Sequence, residues 1–245
     1  MQTITGRISD IIKAEEFLMM KNIGIVMAAG SGRRFGNRLP KQYHKIHGKE
    51  ILTYSGLIFE NEKCIDGIIF VVDEKFINYV RQNVVKKYKF TKVIDVIRGG
   101  RERFNSVSNA IKYLKKVNTE NVFIHDGVRP FVSPGIVKKM AELLNAEKAV
   151  IPVVKTPATL KITKNGYVKG TLDRENVRLA ATPQAFKFEI LKKLYTDKFI
   201  NKIKPTDESY VFEKAGIKVK YIDEDEKNIK ITTKNDVEIM KAMLK

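Results

Sequence analysis

One cysteine, three histidines and no long apolar run set the outer limits of this 245-residue chain. A single Cys64 cannot form an internal disulfide and suits a reducing, cytoplasmic compartment. It reads as a small buried hydrophobe before it reads as a catalytic thiol. His44, His47 and His125 offer no metal-ligand spacing beyond a loose pair, so no structural zinc site is expected. Nowhere do about 18 apolar residues follow one another, which excludes a transmembrane helix. Residues 1–21 contain Asp10, Glu15 and Glu16 and only short apolar clusters, unlike a signal peptide. They read as an N-terminal extension, with Met20 a candidate initiator, ahead of one domain over 22–245. Acidic residues are scarce, 28 against 46 lysines and arginines, for a formal charge of +18. That balance suggests polyanionic partners. The lysines are scattered, however, and no RNA-binding, zinc-finger or helix-turn-helix signature is present, which argues against nucleic acid.

Short apolar runs alternate with helical patterns. Strands are expected at 23–27, 67–72, 92–97, 121–125 and 149–154, and helices at 51–60, 73–87, 104–116 and 134–145. This β-α alternation predicts an α/β fold, a Rossmann-like, doubly wound and mostly parallel sheet. The loops after the strands then converge on one edge, bringing 28–36, 99–106 and 125–130 together. Residues 154–177 break the rhythm. Asn165-Gly166 between β-prone segments is a hairpin signal, so a two-stranded arm protrudes here. A lone hairpin is marginal in water, and the arm is expected to pack against a second subunit. A helix over 189–195, a loop, a strand over 218–222, a segment 228–233 and a C-terminal helix from Asn235 complete the chain.

The richest stretch is Ala28-Ala29-Gly30-Ser31-Gly32-Arg33-Arg34-Phe35-Gly36, followed by Pro40-Lys41-Gln42-Tyr43. It is neither a Walker A loop nor a dinucleotide fingerprint, because Phe35 stands where the third glycine belongs. Small residues after a buried strand let the backbone approach a ligand, and the cations that follow suit phosphate. Taken alone, Arg34 and Lys41 also fit a solvated basic loop. Asp126 follows a buried strand, where a carboxylate is costly unless paired or metal-bound. It could equally cap the next turn.

Six blocks carry a resemblance: A-A-G-S-G-R-R-F-G with P-K-Q-Y, G-G-R-E-R-F-N-S-V, H-D-G-V-R-P-F, T-P-Q-A-F, T-D-E-S and N-I-K-I-T-T. In this order they resemble the nucleotidyltransferases of glycosyltransferase-A-like fold, and more narrowly the 2-C-methyl-D-erythritol 4-phosphate cytidylyltransferase family of non-mevalonate isoprenoid synthesis. The resemblance runs from about Asn22 to the C-terminus. It implies that Ala28, Ala29, Gly30, Ser31 and Gly32 cradle the triphosphate of CTP, and that Arg34, Lys41 and Lys230 are catalytic cations. It implies that Gly99, Gly100, Arg103 and Ser106 read the cytosine, with Arg101 where the family often has an acidic residue. Asp126 would hold magnesium and nucleotide, with Arg129 nearby for the sugar-alcohol phosphate. Thr156 and Arg174 of the arm would reach the substrate of a partner in a homodimer, although Lys155 replaces the usual Asp. Thr182 and Thr206 complete the substrate set. His125 is expected to be a packed, hydrogen-bonded residue. A ribitol-5-phosphate cytidylyltransferase shares most of these blocks and is the nearest alternative. A basic RNA-binding protein is a remote one.

Overall fold

In the computed structural model, which describes residues 20–30 and 39–244, the apolar runs form one twisted sheet. Its strands are continuous stretches of β-branched and apolar side chains because both faces are covered, as in parallel sheets generally. The chain runs through β1 (Met20–Ala28), a small hairpin of β2 (Lys45–Ile46) and β3 (Lys49–Glu50), and α1 (Ile51–Glu60). β4 (Gly67–Val72) follows, then a helical stretch made of a 3-10 turn (Glu74–Phe76), one α turn (α2, Ile77–Val80) and a π-wound turn (Arg81–Lys86). Next come β5 (Val93–Arg98), α3 (Arg103–Leu114), β6 (Thr119–Asp126), α4 (Ile136–Leu143) and β7 (Ala149–Val154). The arm is β8 (Lys161–Lys164) and β9 (Tyr167–Thr171). After it the chain forms β10 (Leu179–Ala180), β11 (Gln184–Lys187), α5 (Phe188–Leu194), α6 (Asp197–Ile203), α7 (Glu208–Lys214), β12 (Lys220–Asp223) and α8 (Lys234–Met243).

The sheet order is β10-β7-β11-β6-β1-β4-β5, with β12 parallel to β7. β6, β1, β4 and β5 are parallel. β11 runs antiparallel between β6 and β7. Period-2 alternation sends Ile23, Ile25 and Met27 of β1 into one core and Val26 and Ala28 into the other. The first core is closed by α3, α5, α6 and α7, and the second by α1, α4 and the 74–86 stretch. The expected mostly parallel α/β sheet is therefore the observed one.

The register fixes where the strands end. Met27 pairs with Asp126, Ala28 with Val72, and Val72 with Arg98. The carboxyl ends of β1, β4, β5 and β6 thus lie side by side on one edge. The chain steps from β1 outward through β4 to β5 and then returns to β1's other side with β6. Strand order reverses between β1 and β6, and ligands bind open α/β sheets at such a reversal.

Three differences from the sequence expectation have local causes, and a fourth comes from long-range pairing. β1 starts at Met20 rather than Ile23, so Met20 and Lys21 belong to the strand and not to an extension. Met20 bonds to the Asn118 carbonyl at 3.0 Å and packs on the core. The rest of the expected extension, 1–19, lies outside the described residues. α4 begins at Ile136 because Gly135, at φ 78°, caps it in a left-handed conformation. The expected loop after α5 holds two helices, α6 and α7, each opened by an N-cap. Thr196 accepts from the Phe199 amide at 3.3 Å, and Asp207 from the Tyr210 amide at 3.0 Å. Finally, β10 and β11 were not anticipated.

The arm is as read. Asn165 and Gly166 take φ of 51° and 81°, the two positive values a tight hairpin turn requires. Ile162, Tyr167, Val168 and Leu172 on it are exposed.

Candidate active site

A cavity of about 480 Å³ opens at the strand-order reversal. Met27–Gly30 after β1, Lys41 and Gln42, Gly100–Arg103 and Ser106, Asp126 and Val128, and Lys230 and Thr232 line it. The described parts of the three expected loops, 28–30, 100–106 and 126–128, converge here and are joined by the C-terminal segment.

Each wall is fastened from behind. Gln42 is buried, and its side-chain amide donates to the carbonyls of Ala28 at 2.7 Å and Gly30 at 2.9 Å. Tyr43 stacks on Phe76 at 4.2 Å. These two neighbours pin the Pro40–Tyr43 turn against Ala28–Gly30 and leave Lys41 on the cavity wall. Opposite, the Gly99 amide donates to the Val72 carbonyl at 2.7 Å. A Cβ at Gly99 would meet the Ala29 methyl at 2.3 Å, so only glycine lets β5's exit pass this close to β1's. Ser106 is buried and its hydroxyl accepts the Gly100 amide at 2.9 Å. It thereby holds the paired-glycine turn against α3. The 229–232 segment docks through the Ile231 amide on the Val128 carbonyl at 2.9 Å, with the Ile231 side chain fully buried. Asp236 accepts from both the Thr232 amide and hydroxyl at 2.7 Å. Lys230 projects from this anchored stretch.

At the centre is Asp126, the buried last residue of β6. Lys230 Nζ lies 2.8 Å from its Oδ2, Arg129 Nε 3.5 Å from Oδ2, and Arg103 Nε 3.5 Å from Oδ1. Burial opposes ionisation, but the three cations outweigh it and hold the carboxyl well below the usual range. Each guanidinium has a second anchor. Arg103 Nη1 reaches both oxygens of Glu208, at 2.5 and 2.7 Å, and Glu208 is almost fully buried. Arg129 Nη1 donates to the Asn228 carbonyl at 2.8 Å. The cavity wall carries Lys41, Arg101, Arg103 and Lys230 against Glu102 and Asp126, an excess of positive charge suited to a polyanion.

Behind Asp126 lies a buried relay. The Asp126 amide donates to the Thr182 hydroxyl at 3.0 Å, and that oxygen lies 2.9 Å from His125 Nδ1. His125 Nε2 lies 2.9 Å from the Arg129 carbonyl, which can only accept. The pattern is satisfied by a neutral imidazole protonated at Nε2, with the Thr182 hydroxyl donating to Nδ1. Complete burial pushes the His125 pKa down to about 4, against the pull of Asp126. An unfolded histidine titrates near 6.5. Between these values the unfolded chain binds the extra proton, so this group's contribution to stability is lost as pH falls from about 6.5 to 4. Asp126 adds to the same trend at lower pH. In a ¹⁵N-¹H NMR titration at pH 5, His125 should show the neutral Nε2–H pattern. A charged ring at that pH would overturn the assignment.

Of the residues expected at a site, Ala28, Ala29, Gly30, Lys41, Gly100, Arg103, Ser106, Asp126 and Lys230 line this cavity, Gly99 abuts it, and Arg129 braces it. Ser31, Gly32 and Arg34 lie outside the described residues. Thr182 is turned inward to hold Asp126 and His125 rather than facing the cavity. Thr206 is exposed just before the α7 cap. Thr156 and Arg174 sit together on the arm, where Arg174 donates to the Pro157 carbonyl at 3.3 Å. They are not among the cavity's lining. Sequence reading missed Glu208 and Gln42, although both stand inside quoted blocks.

Residues 23–245 match the model of the family described as 2-C-methyl-D-erythritol 4-phosphate cytidylyltransferase. The chain belongs to that family. The chain is 37% identical over 227 residues to the 2-C-methyl-D-erythritol 4-phosphate cytidylyltransferase of Geotalea uraniireducens, covering 92% of this chain and 97% of the relative. It is 38% identical to that of Syntrophus aciditrophicus, covering 92% and 96%. Among solved structures it superposes on the 4-diphosphocytidyl-2C-methyl-D-erythritol synthase of Anaerococcus prevotii with a TM-score of 0.80 at 32% identity, covering 91% and 96%. The resemblance carried by the six blocks is thus borne out, and the transferase fold with it.

Proposed function

We propose that this cavity transfers CMP from CTP to 2-C-methyl-D-erythritol 4-phosphate, releasing pyrophosphate, as a step of isoprenoid precursor synthesis. The observation that carries the reading is Asp126 at the strand-order reversal, gripped by Lys230 and flanked by Arg103 and Arg129, with Lys41 on the facing wall. A phosphate oxygen of the acceptor attacks the α-phosphorus of CTP in line. The bond from that phosphorus to the bridging oxygen breaks, and its electron pair leaves with pyrophosphate. Such chemistry needs positioning and charge neutralisation rather than a protein nucleophile.

In this reading Ala28–Gly30, Ser31 and Gly32 receive the triphosphate, and Arg34, Lys41 and Lys230 neutralise the charge that builds on the reacting phosphorus. The turn at Gly99-Gly100, braced by Ser106 and bordered by Arg103, takes the cytosine. Arg129 faces the acceptor phosphate. Thr182 acts through Asp126, and Thr206 lies at the rim of the substrate set. The donor set also fits a divalent ion. Among the described residues no three or more His, Cys, Asp or Glu side chains cluster as ligands. Asp126 offers one hard oxygen beside the place for phosphates, which is the arrangement magnesium accepts. Held there by Asp126, the ion would supply positive charge that offsets the charge of the phosphates.

A homodimer through the arm is part of the proposal. Exposed Ile162, Tyr167, Val168 and Leu172 need cover, and a partner's arm would carry Thr156 and Arg174 toward this cavity. No helix among the described residues is long and apolar enough to cross a membrane, which agrees with a cytoplasmic biosynthetic enzyme.

The test is pyrophosphate release with magnesium and CTP, with methylerythritol phosphate and ribitol 5-phosphate offered side by side. Turnover is expected with the first acceptor, and Lys41→Ala should lower it by about 10²-fold, the scale of losing one preorganised donor. Preference for ribitol 5-phosphate would move the assignment to the sister enzyme. No release with either would end it.

A further inference from the structure

Three cations share one buried carboxylate, and they are not equivalent. Arg103 and Arg129 are each tied to a second group, Glu208 and the Asn228 carbonyl, and their side chains are 25% and 14% exposed. Lys230 is the shortest contact, at 2.8 Å to Oδ2, and its side chain is 39% exposed. An ammonium on a four-carbon stem can swing where a doubly held guanidinium cannot. A divalent ion would need an Asp126 oxygen at about 2.1 Å, within the reach that Lys230 now fills.

We infer that Lys230 serves as a stand-in cation on Asp126, so that a divalent ion binds this carboxylate only when phosphate draws the lysine away. The inference rests on the reading of Asp126 as the metal-facing ligand. A bare ion arriving at Asp126 meets three positive groups and must displace one of them. An ion arriving on a triphosphate brings its own negative charge, and the same phosphates give Lys230 a new partner. The site would therefore select the metal–nucleotide complex over free metal. It would also keep the buried carboxylate paired in the empty enzyme, where an unpaired one would be costly. Lys230 thus has two positions, one on Asp126 and one on phosphate.

The experiment needs no turnover. Mn²⁺ is titrated into nucleotide-free protein, and the free aquo ion is read by electron paramagnetic resonance. The native chain should show no saturable site below about millimolar, because displacing a contact ion pair opposes binding. Lys230→Gln should gain one site at least about tenfold tighter, and adding Asp126→Asn should abolish that site. Lys230→Met serves the same purpose if the glutamine variant is poorly folded. Arg101→Gln removes another, exposed cation from the same cavity and should gain much less. The idea fails if the Lys230 variants bind Mn²⁺ no better than the native chain, or if Arg101→Gln gains as much, since the effect would then be the general field. A failed pyrophosphate assay would overturn the proposed reaction and leave the Mn²⁺ result standing. A failed Mn²⁺ result would leave the reaction standing.

Discussion

Asp126→Asn should reduce turnover at saturating CTP by about 10²- to 10³-fold while leaving the KM for CTP unchanged or lower. Asparagine keeps the shape and the backbone bond to Thr182, so the relay to His125 survives. What disappears is the negative charge among Arg103, Arg129 and Lys230. Those cations then face the triphosphate with nothing between them, which favours binding of the ground state. The hard oxygen that would hold a divalent ion beside the phosphates is gone, and a loss confined to the reacting configuration appears in kcat. Steady-state pyrophosphate release separates the two terms. If kcat stays within about tenfold of the native value, or if the whole loss is in KM, Asp126 is a structural counter-ion and not part of the reacting centre.

The fold was legible because parallel strands buried on both faces announce themselves as unbroken apolar runs. β4 and β7 fall on the expected residues, and so does α1. The hairpin turn was legible because Asn165-Gly166 is chemistry specific to one turn. β10 and β11 were not, for two reasons. β10 is two residues long, and Gln184–Lys187 is too short and too mixed to show a period. β10 on the outer side of β7 and β11 between β7 and β6 are placed by tertiary pairing alone. α6 and α7 are short helices with weak periodicity, and only their N-caps at Thr196 and Asp207 mark them in the sequence. The same holds at the site. Residue type and position pointed to Asp126 as a charge that needs a partner, whereas Lys41 and Lys230 stood out only through the family resemblance. No pattern in the chain could show that Arg103, 105 positions from Glu208, is held by it. Nor could it show that Ser106 and Thr182 spend their hydroxyls on the protein's own backbone and on His125. Polar residues in a motif divide into those facing the ligand and those holding the facers, and only geometry tells them apart.

That division has a large consequence at Glu208. The side chain is 1% exposed, and its oxygens receive Arg103 and the Tyr195 hydroxyl at 3.2 Å. The Gln184 amide bonds Asp207 at 2.9 Å and so ties the start of α7 to the sheet, which fixes where the carboxylate points. Removing one partner of a buried ion pair leaves the other uncompensated and costs about 3–5 kcal/mol. Glu208→Ala should therefore lower the melting temperature by about 6–20 °C at the 2–4 °C per kcal/mol expected for this length. Arg103, released from Glu208, can close on Asp126 and compete with Lys230 for it, so activity should fall as well. The double variant Arg103→Leu, Glu208→Leu removes both charges together and should regain most of the lost stability, because no charge is left stranded. It should not regain activity, because Asp126 has then lost one of its three cations. Thermal unfolding and pyrophosphate release on Arg103→Leu, Glu208→Leu and the double variant give the coupling directly. A Glu208→Ala protein that melts within about 2 °C of the native chain, or a double variant no more stable than the single, would mean that the pair is a surface-like contact and that Arg103 is positioned by something else.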